Sequence, residues 1–222
     1  MAAKISETMW TELIIQCFPN PVATSVLFII IILVCTFGDN IIITISNMDQ
    51  VENKHFICAL LDSCTHAVVG GLIWTIVSVG SEMFTKCKIC LQCIWCSLLA
   101  ASVDIDHFLV ARTLDLKEAT QIVGRPPFHN TSLILLFILF FVMIIICKRI
   151  KSIFSYILIL MLVSSVISHH LRDACHRGLW LSPFGHTPLF PAVLYKSLIV
   201  ILALILRMCY FLVFRLNKVI NL

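Results

Sequence analysis

Three combinations of acid and imidazole stand in this 222-residue sequence at spacings that put them on one helix face. Asp62 and His66 are four apart, so on an α-helix one lies above the other. The run Ser-Val-Asp-Ile-Asp-His sets Asp104 and His107 three apart on a shared face, with Asp106 pointing elsewhere on the same turn. Ser-His-His-Leu-Arg-Asp puts His169 four before Asp173 and His170 three before it. Carboxylate with imidazole is a ligand set for Zn, Mn or Fe, and carboxylates alone suit Mg. A divalent cation held by such groups would neutralise buried acids and could acidify a water molecule, the logic of metal-assisted hydrolysis. The plainer reading of any one pair is a self-satisfied hydrogen bond that fixes helix packing and binds nothing.

The elements that must position these residues are apolar. Hydrophobic residues make up 60% of the chain and charged residues 13%, with a mean hydropathy of +1.02, whereas soluble domains carry roughly 45 to 50% and about 25%. Apolar runs fall at Val22 to Ile45, Phe56 to Val79, Ile89 to Ala111, Ser132 to Cys147, Ile153 to Leu171 and Ala192 to Phe214. They are continuously apolar and do not alternate, which predicts helices and not barrel strands. The expected fold is all-α: a polytopic transmembrane helix bundle of about six spanning helices over residues 22–214, after an N-terminal segment 1–21 and before a short C-terminal tail 215–222. Arg125-Pro126-Pro127 in the third loop, and Pro183, Gly185, Pro188 and Pro191 in the fifth, stop helices and turn the backbone. Met1 to Pro19 lacks the basic start, short apolar core and small-residue cleavage site of a removed leader, so the first span is expected to act as a signal anchor.

A charge at bilayer depth costs at least about 2.5 to 3.5 kcal/mol, so ionisable residues inside spans need a reason. Six spans put odd-numbered loops on one side, and all three combinations lie at odd-loop ends of spans two, three and five, joined by His129 in the third loop and by Asp39 near the end of span one. Convergence of these groups at one membrane face favours a shared site over separate structural pairs. Crowding at one side argues against a proton or ion carrier, whose relay would cross the full thickness. Counted by side, Lys and Arg divide nine to seven; the nine include Lys4, the Lys148-Arg149-Lys151 cluster, Arg207 and Lys218, and the seven include Arg172 and Arg177. That bias favours cytoplasmic termini. The formal net charge of +4 is spread along the chain, which fits loops near lipid headgroups and excludes a nucleic-acid surface.

Other patterns carry less. Eleven cysteines, several in apolar runs, do not form a disulfide framework. Cys87, Cys90, Cys93 and Cys96 recur every three residues, which lines thiols along a helix stripe instead of wrapping them round an ion. Asn130-Thr131-Ser132 is a glycosylation sequon set close against the fourth span. His176, Arg177 and His186 are expected to solvate a loop or meet headgroups.

At these residues the chain resembles the bacterial membrane-bound metal-dependent hydrolases, whose pattern is a His early in a helix, then P-D-I-D-H, H-R-G-x-T-H-S, and S-H-x-x-x-D before a Pro/Gly segment. Here the matching segments are T-H-A-V-V-G at His66, V-D-I-D-H ending at His107, R-P-P-F-H-N-T-S around His129, S-H-H-L-R-D at Ser168 to Asp173, and S-P-F-G-H-T-P from Ser182. A-L-L-D-S-C-T-H, A-S-V-D-I-D-H-F-L and S-H-H-L-R-D-A-C-H-R-G-L-W-L-S-P-F-G-H-T-P look still more like the transmembrane protein 267 family of animals, over roughly Asp39 to Tyr195. The bacterial resemblance implies metal ligands at His66, Asp104, Asp106, His107, His129, His169 and Asp173. One histidine of the H-R-G-x-T-H-S motif has no counterpart, since only His129 is present beside Pro127 and Phe128.

The reading of the whole is a membrane protein with a polar pocket at its odd-loop mouth. Its metal ligands are Asp104, Asp106, His107, His129, His169 and Asp173, with Asp62 and His66 as catalytic groups that orient water. Its partners are the lipid bilayer and a lipid-like substrate such as a lipid-linked phosphate. A non-catalytic scaffold or assembly protein with a structural Asp/His network is the reading from another class.

Overall fold

The computed structural model describes residues 18, 20–48, 50–120, 122, 124–148 and 152–220, with the side chains of 216–220 excepted. Residues 1–17 and 19 of the N-terminal segment, with Lys4, and also Arg149, Lys151 and the Lys218 side chain, which entered the charge count, lie outside the described residues. The elements are α1 (Pro21–Ser46), α2 (Lys54–Ser78), α3 (Lys86–Ser102), α4 (Ile105–Ala111), α5 (Leu116–Thr120), a 3-10 turn (Pro127–His129), α6 (Thr131–Cys147), α7 (Ile153–Arg177) and α8 (Ala192–Ile220). The expected all-α bundle is thus the observed one. Five stretches have the length and apolarity to cross a membrane, with α3 and α4 counted together, and α6 is a shorter apolar helix of 17 residues. At 1.5 Å per residue α6 is about 25 Å long, against a hydrocarbon core of about 30 Å.

Helix starts follow the local chemistry. Asn20 caps α1 by accepting from the Ala23 amide at 3.0 Å, with proline at the first helical position. Asn130 caps α6 by accepting from the Leu133 amide at 3.2 Å, so the sequon asparagine has a structural task. The end of α2 is served from another helix. Arg207 of α8 is fully buried, and its guanidinium donates to the carbonyls of Ile76, Val77 and Val79, which have no acceptor role left within α2.

Helix α2 is central, packed against α1, α3, α7 and α8, while α6 packs on α7. Close approach of α2 and α3 depends on a missing side chain: a Cβ on Gly70 would fall 2.7 Å from the Ala100 Cβ and 2.9 Å from the Cys96 carbonyl. Ile73, Trp74, Ile76, Val77, Tyr210 and Phe211 fill the core toward the even-loop end. Outward faces of α1 and α6 stay exposed, with Ile29, Leu33, Phe37, Leu136 and Phe140 among the uncovered residues, as lipid-facing surface requires.

Two expectations need correction. The third apolar run is not one continuous helix: it breaks at Val103 and Asp104, where the amides of Asp106 and His107 bond three residues back. Tightening toward three residues per turn rotates α4 relative to α3, and Asp106 turns inward and is buried. The helix of the fifth apolar run, α7, extends to Arg177, so Arg172 is no loop cation at the headgroups but a fully buried residue. Arg207 likewise leaves the surface charge count, because unpaired carbonyls and neighbouring rings hold it inside.

Candidate metal centre

Four ring and carboxylate atoms from three parts of the chain meet at the odd-loop end of the bundle. His129 Nε2 lies 3.3 Å from Asp104 Oδ1, 3.4 Å from Asp173 Oδ2 and 3.4 Å from His169 Nε2. His169 Nε2 lies 3.5 Å from the same oxygens of Asp104 and Asp173. Two ligands bonded to one ion at about 2.0 to 2.1 Å, with a tetrahedral angle between them, stand about 3.3 Å apart. All five separations match that span. The i,i+4 pairing of His169 with Asp173 is the one expected from spacing, and α7 presents both toward α3 and the third loop.

The far nitrogens of both rings are held by acceptors. His169 Nδ1 donates to the Ala100 carbonyl at 2.9 Å, and His129 Nδ1 faces the Asp106 carboxylate at 3.3 Å. A ring nitrogen that donates outward leaves the other nitrogen's lone pair for the centre, which is how metal-binding histidines are usually oriented. Asp106 does more than hold a ring. Its Oδ2 also accepts from the Phe128 amide at 2.6 Å, while the Phe128 carbonyl accepts from His170 Nε2 at 2.9 Å. His170 Nδ1 in turn bonds the Thr131 hydroxyl at 2.8 Å. The turn that carries His129 is therefore pinned on both faces, and Arg125 ties the same loop to α7 by donating to the Arg177 and Gly178 carbonyls.

The surroundings of His129 are strongly anionic. Burial alone would lower the basicity of its ring, but Asp104, Asp106 and Asp173 outweigh burial and push it up to about 11. The same carboxylates favour a cation beside Nε2, where a metal ion would take the place of the proton.

The other expected residues gather nearby with different partners. His66 is buried at 1% exposure, stacked on His169 with ring centroids 3.8 Å apart, and its Nε2 is 3.1 Å from Asp173 Oδ1. Asp62 Oδ2 stands 3.8 Å from that nitrogen, and its other oxygen is taken by Arg172. His107 offers an atom within 4.8 Å of both Asp104 and His129 and lies against Asp106. Asp106, His107 and His129 thus meet, but Asp106 belongs to none of the close ligand groups and contacts the outer side of the His129 and His107 rings. Among the described residues no cysteine joins such a group, and Cys93 and Cys96 bond Thr75 and the Met161 carbonyl instead.

Sequence reasoning missed Arg172. It donates to Asp62 and, at 3.2 Å, to Asp39, whose second oxygen accepts from the Tyr195 hydroxyl. The available signal was Asp39 itself, an acid inside an apolar run that needed a buried cation.

A cleft of about 510 Å³ opens onto the cluster. Asp62, Asp104, His107, His129 and Asp173 line its polar part, and Ile42, Phe56, Leu60, Ile105 and Phe108 its apolar part. The exposed side chains of His55, His176 and Arg177 also border it, so two residues expected only to solvate a loop belong to the cleft.

Apolar helices of membrane length, with Asp39, Asp106, Arg172 and Arg207 buried among them, define a multi-pass integral membrane protein. The chain is similar to transmembrane protein 267 of Xenopus laevis, 35% identical over 65% of this chain and 65% of that protein. It is 32% identical to transmembrane protein 267 of Bos taurus over 73% of this chain and 72% of that one, and 32% identical to that of Danio rerio over 67% and 65%. The chain belongs to the transmembrane protein 267 family. Its match to the frog relative spans slightly less than two thirds of that protein's length. No protein-family model matches the chain, and no solved structure matches it at a significant level.

Proposed function

We propose that this protein is a metal-dependent hydrolase acting on a lipid or lipid-linked substrate at the membrane surface, with Asp104, His129, His169 and Asp173 holding a divalent cation. The observation that carries the reading is the set of five contacts at 3.3 to 3.5 Å among those four side chains, all between atoms that can face one ion. Two imidazoles with two carboxylates favour Zn, Mn or Fe over Mg. A cation bound there would supply Lewis acidity, lowering the pKa of water and polarising the bond to be cleaved.

The chain's own groups have separable tasks. Asp106 and the Ala100 carbonyl fix the tautomers of His129 and His169. Asp62, at the cleft wall, orients water, with His66 buried behind it against Asp173, and His107 flanks the same polar wall. Phe56, Leu60, Ile105 and Phe108 suit an acyl or isoprenoid chain, while Arg177, His55 and His176 suit an anionic head. The likeness of V-D-I-D-H and S-H-H-L-R-D to the bacterial metal-dependent hydrolases supports the same chemistry.

The test is hydrolysis of paired long-chain probes, a p-nitrophenyl ester and a p-nitrophenyl phosphodiester, by the full chain in detergent micelles with Mn²⁺ or Zn²⁺. Turnover of at least one probe, abolished by chelation and by Asp104→Asn, is expected. A metal-loaded protein that cleaves neither would defeat the hydrolase reading and leave an ion-stabilised membrane scaffold.

A further inference from the structure

We infer that the site holds two divalent cations, the second bound by His66, Asp62 and the outer oxygen of Asp173, so that Asp173 bridges the pair. This rests on the metal reading above and extends it to Asp62 and His66, which would orient water by binding it through a second ion.

His66 is the first reason. It is 1% exposed, and neither ring nitrogen makes a hydrogen bond. Its Nε2 is 3.1 Å from Asp173 Oδ1, but without the alignment a hydrogen bond needs. A buried imidazole with no hydrogen-bond partner is destabilising unless something else uses it. The His169 ring covers one face of it, Asp104 offers an oxygen within 4.8 Å, and one ligand atom each of Asp62, His66 and Asp173 lie within 4.8 Å of one another.

Asp173 is the second reason. Its Oδ2 faces His129 and His169, while its Oδ1 faces His66, so one carboxylate presents separate oxygens to two ligand groups. Carboxylates that address two ions in this way are common in two-metal hydrolytic sites. Asp62 is oriented for the same purpose, because Arg172 occupies its Oδ1 and leaves Oδ2 toward His66.

Charge is the third. Asp62, Asp104, Asp106 and Asp173 bring four negative charges to the cluster, and Arg172 is balanced by Asp39. One divalent ion would leave two of the four uncompensated at a depth where charge is costly, and two ions cancel them. Three protein ligands on the second ion, with Asp62 lining the cleft, leave coordination positions for water or a substrate oxygen.

The experiment uses full-length protein in detergent, stripped by chelator and titrated with Mn²⁺, read by elemental analysis after desalting and by electron paramagnetic resonance. The expected result is two Mn²⁺ per chain with an exchange-coupled spectrum, falling to one uncoupled ion in His66→Ala and in Asp62→Asn. The wild-type count needs no variant to fold. One ion per chain in the wild type, or two retained in both variants, overturns the second site and leaves the first. No bound ion overturns both.

Discussion

Asp106 and His129 form the pair on which the geometry of the centre turns: the carboxylate lies 3.3 Å from Nδ1, on the ring edge opposite the nitrogen that meets Asp104, Asp173 and His169. Asp106 is 2% exposed and also accepts the Phe128 amide, so it fixes both the ring and the turn that carries it.

Asp106→Asn keeps the shape but weakens the acceptor and frees the ring to change tautomer. Outer partners of metal-bound histidines are worth about 10- to 100-fold in affinity. Chelator competition should show a loss of that size with a near-normal thermal transition, and an unchanged affinity would remove Asp106 from the site.

Gly70 bears on the same centre from outside it. A Cβ there meets Ala100, whose carbonyl holds His169 Nδ1, and overpacking of this kind costs about 1 to 3 kcal/mol. Gly70→Val should lower both thermal stability and ion affinity, measured on one preparation by melting with and without Mn²⁺.

Arg172 lies between Asp39 and Asp62. Arg172→Met leaves two acids without their cation, and removing one partner of a buried ion pair costs about 3 to 5 kcal/mol. Its thermal transition should fall steeply, and adding Asp39→Asn to Arg172→Met should recover part of the loss. A double variant no better than the single one would contradict the pairing.

Arg207 offers a contrast far from the centre. Arg207→Gln removes charged donors from the carbonyls at the end of α2, each worth about 1.5 to 3 kcal/mol. Stability should fall while metal content per folded chain stays at the wild-type value. Loss of metal in the folded fraction would show that the two ends of α2 are not separable.

The helices were legible because lipid demands continuous apolar runs, and the His169 and Asp173 pair because one helix dictates which residues share a face. Convergence of spans two, three and five was legible from odd numbering alone. Asp106 was legible as pointing away from Asp104 and His107, but its contacts with the Phe128 amide and the His129 ring come from the third loop, beyond any local window. Arg172 and Arg207 were misread because a cation's address depends on acids and carbonyls from distant segments, which no local window contains. His129 was named as a ligand from its place in the third loop and from the family resemblance. Its position at the centre required Asp106, His170 and Arg125 to hold the loop down.

The most direct measurement is the metal content of purified full-length protein after Mn²⁺ or Zn²⁺ loading and desalting, compared with Asp104→Asn and His169→Ala. The account predicts bound divalent ion in the wild type and a marked loss in each variant, with folded protein retained. A wild-type chain that is folded and holds no ion, or variants that hold as much as the wild type, would contradict it.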